Sequence, residues 1–303
     1  MVNWRGLILA QGFPCYEAAM ILRRSILAMG LMGSAASAYG FGLEPYSGPA
    51  ITRYALTPPG WPPGLRLRIA ALADLHAGAP LMTKARVAQI VAAANALQPD
   101  ITVLLGDYGP VSRLVREPYP PDAIAPILGE LRARLGVFAI AGNHDWWEDP
   151  AAMARRSGRP EWLRAIAREG IQPLQNEAQR FAQGFWLAGL DSQIAFIRQG
   201  ADDLPRVLRA VTDEAPLILL AHEPDIFATL PDRVALTLCG HTHGGQVRIL
   251  GYSPHVPSRY GNRYAYGRVS EANREMIVSG GLGTSKIPVR FGVPPEIVEV
   301  TLG

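Results

Sequence analysis

Short apolar runs recur along this 303-residue chain, and five of them end on side chains that bind metals or move protons. After Leu72 comes Asp74-Leu75-His76; after Leu105, Gly106-Asp107; after Ala141, Gly142-Asn143-His144-Asp145. Ala221 leads to His222, and Cys239 leads to Gly240-His241-Thr242-His243. Only His255, among six histidines, lies away from these run ends, in what reads as a loop. Runs of four to six apolar residues bounded by turn formers read as buried strands. In open α/β sheets a site forms outside the carboxyl ends of the strands, so the five segments can converge. In extended chain, residues i and i+2 share a side. That pairs Asp74 with His76 and His241 with His243, and gives the adjacent Asn143 and His144 separate roles. Glycines at 106, 142 and 240 let the backbone turn sharply or approach closely.

The stretches between the runs read as helices. Thr83 can cap one whose apolar face is Val87, Ile90, Val91, Ala94 and Leu97, with Pro99 ending it. Ile124, Ile127, Leu128, Leu131 and Leu135 repeat the spacing, although Pro126 must start or kink that helix. A short helix near 161–169 precedes Gly170, which suits a C-cap. Strands are expected at Leu67 to Leu72, Ile101 to Leu105, Val137 to Ala141, Phe185 to Gly189, Leu217 to Ala221 and Val234 to Leu238. Three more are expected at Gln246 to Ile249, Met276 to Ser279 and Ile297 to Leu302. Strands alternating with helices imply an α/β fold with right-handed crossovers. One domain over 65–303 accounts for the pattern, and the proline-rich 39–64 reads as an extended lead-in or an edge segment.

The formal net charge is +3, which invites a nucleic-acid reading. The first 38 residues hold Arg5, Arg23 and Arg24 against Glu17, so the rest carries 29 − 3 = 26 basic and 26 − 1 = 25 acidic residues. No basic tract follows, and no nucleic-acid partner is expected. Those first residues read instead as an address. Arg23-Arg24 precedes an apolar stretch over 26–38 that closes on Ala36-Ser37-Ala38, the order of a cleavable export signal. The arginine pair resembles the twin-arginine class. The stretch is short for a membrane span of about 20 residues, and an uncleaved anchor is the alternative. Met20 opens this signal so naturally that the chain could start there. With Cys15 ahead of the signal, Cys239 stands alone downstream and no internal disulfide is possible.

Singly, each strand-end piece is bland: an Asp-x-His is commonly a capped turn, and a lone histidine a satisfied core residue. Jointly and in this order they resemble the calcineurin-like metallophosphoesterase superfamily, over about residues 66–250 by motif. Gly244-Gly245-Gln246 and Gly281-Leu282-Gly283-Thr284-Ser285 are also similar to bacterial members. The resemblance implies a four-layer α/β/β/α sandwich and two divalent ions, with manganese favoured and zinc or iron compatible. It implies Asp74, His76, Asp107 and His243 around one ion, and Asp107, Asn143, His222 and His241 around the other, with Asp107 shared. It further implies hydrolysis by a hydroxide between the ions, with His144 as proton donor and Asp145 as its orienting partner.

Many relatives carry a further acidic or asparagine residue after Gly-Asp, where this chain has Tyr108-Gly109-Pro110. The Gly-Asp-Tyr form resembles a bacterial branch of exported phosphodiesterases and of enzymes cleaving nucleotide-linked acylated sugars. Tyr108, Trp146 and Trp147 could wall a pocket for an apolar or ring-bearing group, or only pack the loops. Arg113, Arg116, Arg259 and Arg263 are candidate phosphate contacts or simple surface charges. The expected function is a phosphodiesterase or pyrophosphatase of the cell envelope, acting on a substrate that could be lipid-linked, with the membrane surface as a further candidate partner. A phosphomonoesterase or nuclease, and a non-catalytic metal-binding scaffold, are the alternatives.

Overall fold

The computed structural model describes residues 14–197 and 199–303. Of the residues ahead of Met20, 1–13 lie outside the described residues. The strands are β1 (Ala50–Leu56), β2 (Leu67–Leu72), β3 (Gly78–Ala79), β4 (Ile101–Leu104) and β5 (Glu117–Pro118). There follow β6 (Val137–Ala139), β7 (Gln172–Pro173), β8 (Glu177–Phe181), β9 (Phe185–Gly189) and β10 (Leu217–Leu220). The last are β11 (Val234–Cys239), β12 (Gly267–Glu271), β13 (Arg274–Val278) and β14 (Glu296–Leu302). The helices are α1 (Pro14–Gly42), α2 (Lys84–Ala96), α3 (Pro121–Leu128), α4 (Asn143–Trp147), α5 (Pro150–Arg155), α6 (Glu161–Arg168) and α7 (Leu204–Ala210).

Two six-stranded sheets face each other, ordered β1-β14-β2-β4-β6-β7 and β12-β13-β11-β10-β9-β8. In the first, β2, β4, β6 and β7 run parallel; in the second, β9, β10, β11 and β13 do. The strand sequences explain the layering. Leu67, Ile69 and Ala71 of β2 alternate with Ala70 and Leu72, so one set meets the opposite sheet and the other meets helices. Ile69, Val103, Phe138 and Val300 pack against Leu187, Ile218, Leu220 and Leu236 between the sheets. Outside the first sheet lie α2, α3 and α6; outside the second lie Val207 of α7 and Phe227. The result is a four-layer α/β/β/α sandwich, whose doubly covered strands need nearly continuous apolar sequence.

Local signals act as expected at α2, where the Thr83 side chain accepts the Arg86 amide and Val87, Ile90, Val91 and Ala94 are buried. Pro126 sits inside α3, and that helix ends at Leu128, short of Leu131 and Leu135. The strand expected at Gln246 to Ile249 does not form. Gly244, Gly245 and Gln246 all take positive φ, which curls the chain into a short 3-10 turn and leaves only isolated bridges to Phe291 and Tyr252. Strands β1, β8 and β12 escape the periodicity because their faces are only partly buried.

The N-terminal helix also differs from expectation. It does not stop with the apolar stretch at Ala38 but continues to Gly42, so Ser25–Leu43 gives nineteen consecutive uncharged residues. Met20–Tyr46 is therefore long and apolar enough to cross a membrane, by length and composition. Its far end is fastened to the sandwich. Arg290 donates its amide to Gly40 O at 2.9 Å, Tyr39 meets the Phe291 ring edge-on, and Glu44 Oε2 accepts the Gly292 amide at 3.0 Å.

The inter-sheet core should dominate stability. Leu220→Ala, at a fully buried position between the sheets, should cost about 2–5 kcal/mol, measured as a lower denaturant midpoint with an unchanged slope.

Candidate metal centre

The carboxyl ends of β2, β4 and β6 in one sheet, and of β10 and β11 in the other, meet at one edge of the sandwich. The loops after β2 and β4 run side by side, with Asp74 donating its amide to Gly106 O and His76 to Asp107 O, both at 3.1 Å. Asp74, His76, Asp107, His241 and His243 all have φ between 47° and 71°, the left-handed region. Such backbone costs about 1–3 kcal/mol per non-glycine residue and persists where the surroundings enforce it. The extended alternation expected for Asp74/His76 and His241/His243 thus does not apply. Turning at each residue is what lets His241 and His243 serve different sides of the site.

The side chains gather into two buried sets, Asp74 with His76 and His243, and Asp107 with His222 and His241. Within each set the candidate ligand atoms lie within 4.8 Å of one another. The sets touch through Asp107, whose Oδ2 is 3.2 Å from His222 Nε2 and 3.8 Å from His76 Nε2. His76 Nε2 and His243 Nε2 are 3.1 Å apart, so both rings aim a nitrogen at the same point. Carbonyl oxygens fix the other ring nitrogens: His222 Nδ1 donates to Leu105 O at 2.6 Å and His76 Nδ1 to Gly109 O at 2.9 Å. Both rings therefore turn Nε2 toward the centre. Asn143 Oδ1 is buried without a hydrogen-bond partner, and His222 Nε2 has only the Asp107 carboxylate at 3.2 Å. An orphaned polar atom of this kind, beside a mixed oxygen and nitrogen donor set, fits divalent transition ions.

The electrostatics agree. Burial lowers His76 to about 4 and His241 to about 3, so both imidazoles are neutral at neutral pH with lone pairs free. Burial also raises Asp74 to about 7; His222 opposes that and Asp107 adds to it. At His222 burial works against charge, but Asp107, Asp74 and Glu223 outweigh it and hold the imidazole well above its usual value.

Several expected roles need correction. Asp145 does not orient His144. Its carboxylate accepts the amides of Gly142 (2.7 Å), Asp107 (2.9 Å) and Tyr108 (3.0 Å), clamping the loops after β4 and β6 together. The carboxylate facing His144 Nδ1 is Glu148, one helical turn on, at 3.8 Å. Tyr108 is core and not a wall of the substrate site: it is buried against Trp162 and its hydroxyl donates to Ile140 O. Trp146 is likewise core, donating to Asp191 Oδ1 at 2.7 Å. Trp147 does stand at the site, with its ring edge-on to His144 at 5.0 Å. Arg259 is largely exposed, 3.7 Å from Asp225, and Arg263 pairs with Glu271 at 2.7 Å. Arg113, Arg116 and His255 are exposed.

One buried group has no signal in the sequence. Arg290 donates to Gly280 O and Val293 O at 2.8 Å and to Gly283 O, and its Nη2 lies 3.5 Å from His243 Nδ1. It pins the Gly-rich 280–283 segment behind His243, yet nothing in its spacing marks it as buried.

The calcineurin-like phosphoesterase family model matches residues 67–245, which hold both sets of ligand-type residues. The chain belongs to that family. A Bos taurus transmembrane protein with metallophosphoesterase domain is 30% identical over 272 residues, covering 84% of this chain and 57% of that one. A metallophosphoesterase of Aquifex aeolicus is 30% identical, covering 83% of this chain and 91% of its own. The metallophosphoesterase YkuE of Bacillus subtilis is 31% identical, covering 70% and 71%. The chain spans only a little over half the length of the bovine protein and of a Danio rerio relative with the same name.

Metal entry must displace the proton that Asp107 holds on His222. Loading the metal-free protein with Mn²⁺ near neutral pH should release protons, and each proton displaced should raise apparent affinity about tenfold per pH unit. Calorimetry in two buffers of different ionisation heat reads this directly; identical heats after correction would refute it.

Proposed function

We propose that this metallophosphoesterase is a dinuclear, manganese-dependent hydrolase of phosphodiesters or pyrophosphates. The observation that carries the reading is the pair of buried ligand-type sets sharing Asp107. Asp74, His76, Asp107 and His243 would hold one ion; Asp107, Asn143, His222 and His241 would hold the other. Paired ions lower the pKa of water and polarise phosphoryl oxygens. The two carboxylates leave a surplus of positive charge in a loaded site, which favours an anionic phosphoester.

The chain's own residues do the rest. His144 stands at the mouth with its ring edge-on to His76 and its Nδ1 toward Glu148. Its Nε2 is then the atom to donate a proton to the leaving oxygen. Trp147 packs edge-on against that imidazole and is itself held through Nε1 to Ile194 O at 3.1 Å. Asp145 keeps the Asn143 and Asp107 loops in register, which positions ligands from two strands at once.

The protein is further proposed to be exported through its Arg23-Arg24 signal and held at the outer face of the membrane by α1. The helix runs unbroken through Ala36-Ser37-Ala38, and its end is docked on the sandwich. That favours retention over a cut, and relatives bear the name transmembrane protein.

His144→Ala should keep both ions and lose about 10²–10⁴-fold in kcat on a generic phosphodiester. Full activity in a variant that still binds its metals would remove His144 from the proposed role. Metal binding without hydrolysis of any monoester, diester or pyrophosphate by the unaltered protein would return the chain to a scaffold.

A further inference from the structure

One end of the molecule carries apolar side chains that packing does not explain. Ile249 and Tyr252 exchange backbone hydrogen bonds across a hairpin whose tip is Leu250-Gly251. Both tip residues have positive φ, a turn that favours Asn-Gly, and Leu250 is fully exposed at 102%. A leucine there is costly in backbone strain and gains no burial within the fold. Leu114, Ile287 and Tyr252 are exposed as well.

These residues form one rim, tied by hydrogen bonds. Gln246 Nε2 donates to Ile287 O at 2.9 Å, Arg248 N to Phe291 O at 2.7 Å, and Ser112 Oγ to Lys286 O at 3.1 Å. The α1 helix leaves the sandwich from this same place, through Tyr39 on Phe291 and Gly40 on Arg290. Exposed Ile21, Leu22, Ile26, Leu27 and Leu31 run along that helix. Segments 246–255 and 284–291 contain no acidic residue; Arg248 and Lys286 lie within them, and Arg113 and Arg116 flank Leu114. The rim is one step from the chemistry, because Gln246 donates its amide to His243 O at 2.9 Å.

We propose that this rim rests on an anionic lipid bilayer and offers the metal site to phosphoesters borne by membrane amphiphiles. The occupant follows from continuity with the apolar α1 and from the basic excess around the apolar tip, where Arg113, Arg116, Arg248 and Lys286 stand against the exposed Glu117. The helix brings this end to the membrane; Leu250, Ile249 and Ile287 then enter the interface, and the basic residues meet the headgroups. The surface rests on the geometry alone, whereas the substrate class also rests on the hydrolase reading above.

The test uses the full chain with Cys15→Ser, since Cys239 is buried. Leu250→Cys is labelled with an environment-sensitive nitrobenzoxadiazole dye and reconstituted in vesicles of phosphatidylethanolamine and phosphatidylglycerol. Emission should shift to the blue and be quenched by a lipid-borne nitroxide, whereas the dye at Glu214→Cys, ahead of β10 at the opposite end, should do neither. Water-like emission at both positions overturns the docking surface whether or not the protein is an enzyme.

The second arm compares p-nitrophenyl dodecyl phosphate in those vesicles with soluble p-nitrophenyl ethyl phosphate. In each, water adds to phosphorus and the bond to p-nitrophenolate breaks, giving the alkyl phosphate. The vesicle-borne ester should be preferred, and Leu250→Asp with Ile287→Asp should cut that preference about tenfold or more while leaving the ethyl ester rate unchanged. Equal rates on the two esters, or a preference the variant does not alter, overturn the proposed substrate class. No hydrolysis of either ester counts against the hydrolase reading and leaves the dye result to decide the surface.

Discussion

The Asp107 carboxylate is the contact on which the site's geometry depends. Its Oδ2 approaches His222 from one sheet and His76 from the other, while Oδ1 accepts the His144 amide at 2.9 Å. A Cβ on Gly142 would come within 2.2 Å of that oxygen, so glycine is required for the two loops to close. Asp145 completes the arrangement by accepting the Asp107 amide. Sheet packing brings the strand ends near one another; these two carboxylates convert nearness into a defined set of ligand directions. The left-handed backbone at five ligand-type residues is the strain this geometry imposes, and the deep core between the sheets offsets it.

Much of this was legible in the sequence because the informative residues follow strands buried on both faces. Such strands are continuous apolar runs, and a polar residue at their end has few other places to go. The fold class, the strands of both sheet centres and the convergence of Asp74, His76, Asp107, His222, His241 and His243 follow from that. Side-chain direction did not follow. Tyr108, Trp146 and Asp145 stand beside ligand positions, but the tight turns at Asp107 and Gly142 aim them inward, toward core and backbone amides. Arg290 was invisible because its burial is satisfied by carbonyls of a glycine-rich segment, a partnership without periodicity. Likewise the paired glycines at 244 and 245 curl a stretch whose composition resembles a strand.

The N-terminal helix and the candidate metal centre meet at the 280–293 segment. Arg290 backs His243 with its guanidinium and holds Gly40 with its amide, so the last turn of α1 and a ligand-type histidine share one support. The 284–291 stretch also supplies part of the exposed apolar rim. Under the proposed anchoring role of α1, fixing that helix to the segment behind the site would set how far the site stands from the lipid surface.

The central claim is that Asp107 unites two metal positions into one centre. The most direct measurement is metal content per chain, by elemental analysis after manganese loading and removal of free metal. The account predicts two ions in the unaltered protein, one in Asp74→Ala, and less than one in a folded Asp107→Ala. Two ions retained by Asp107→Ala, or a single ion in the unaltered protein, would contradict it.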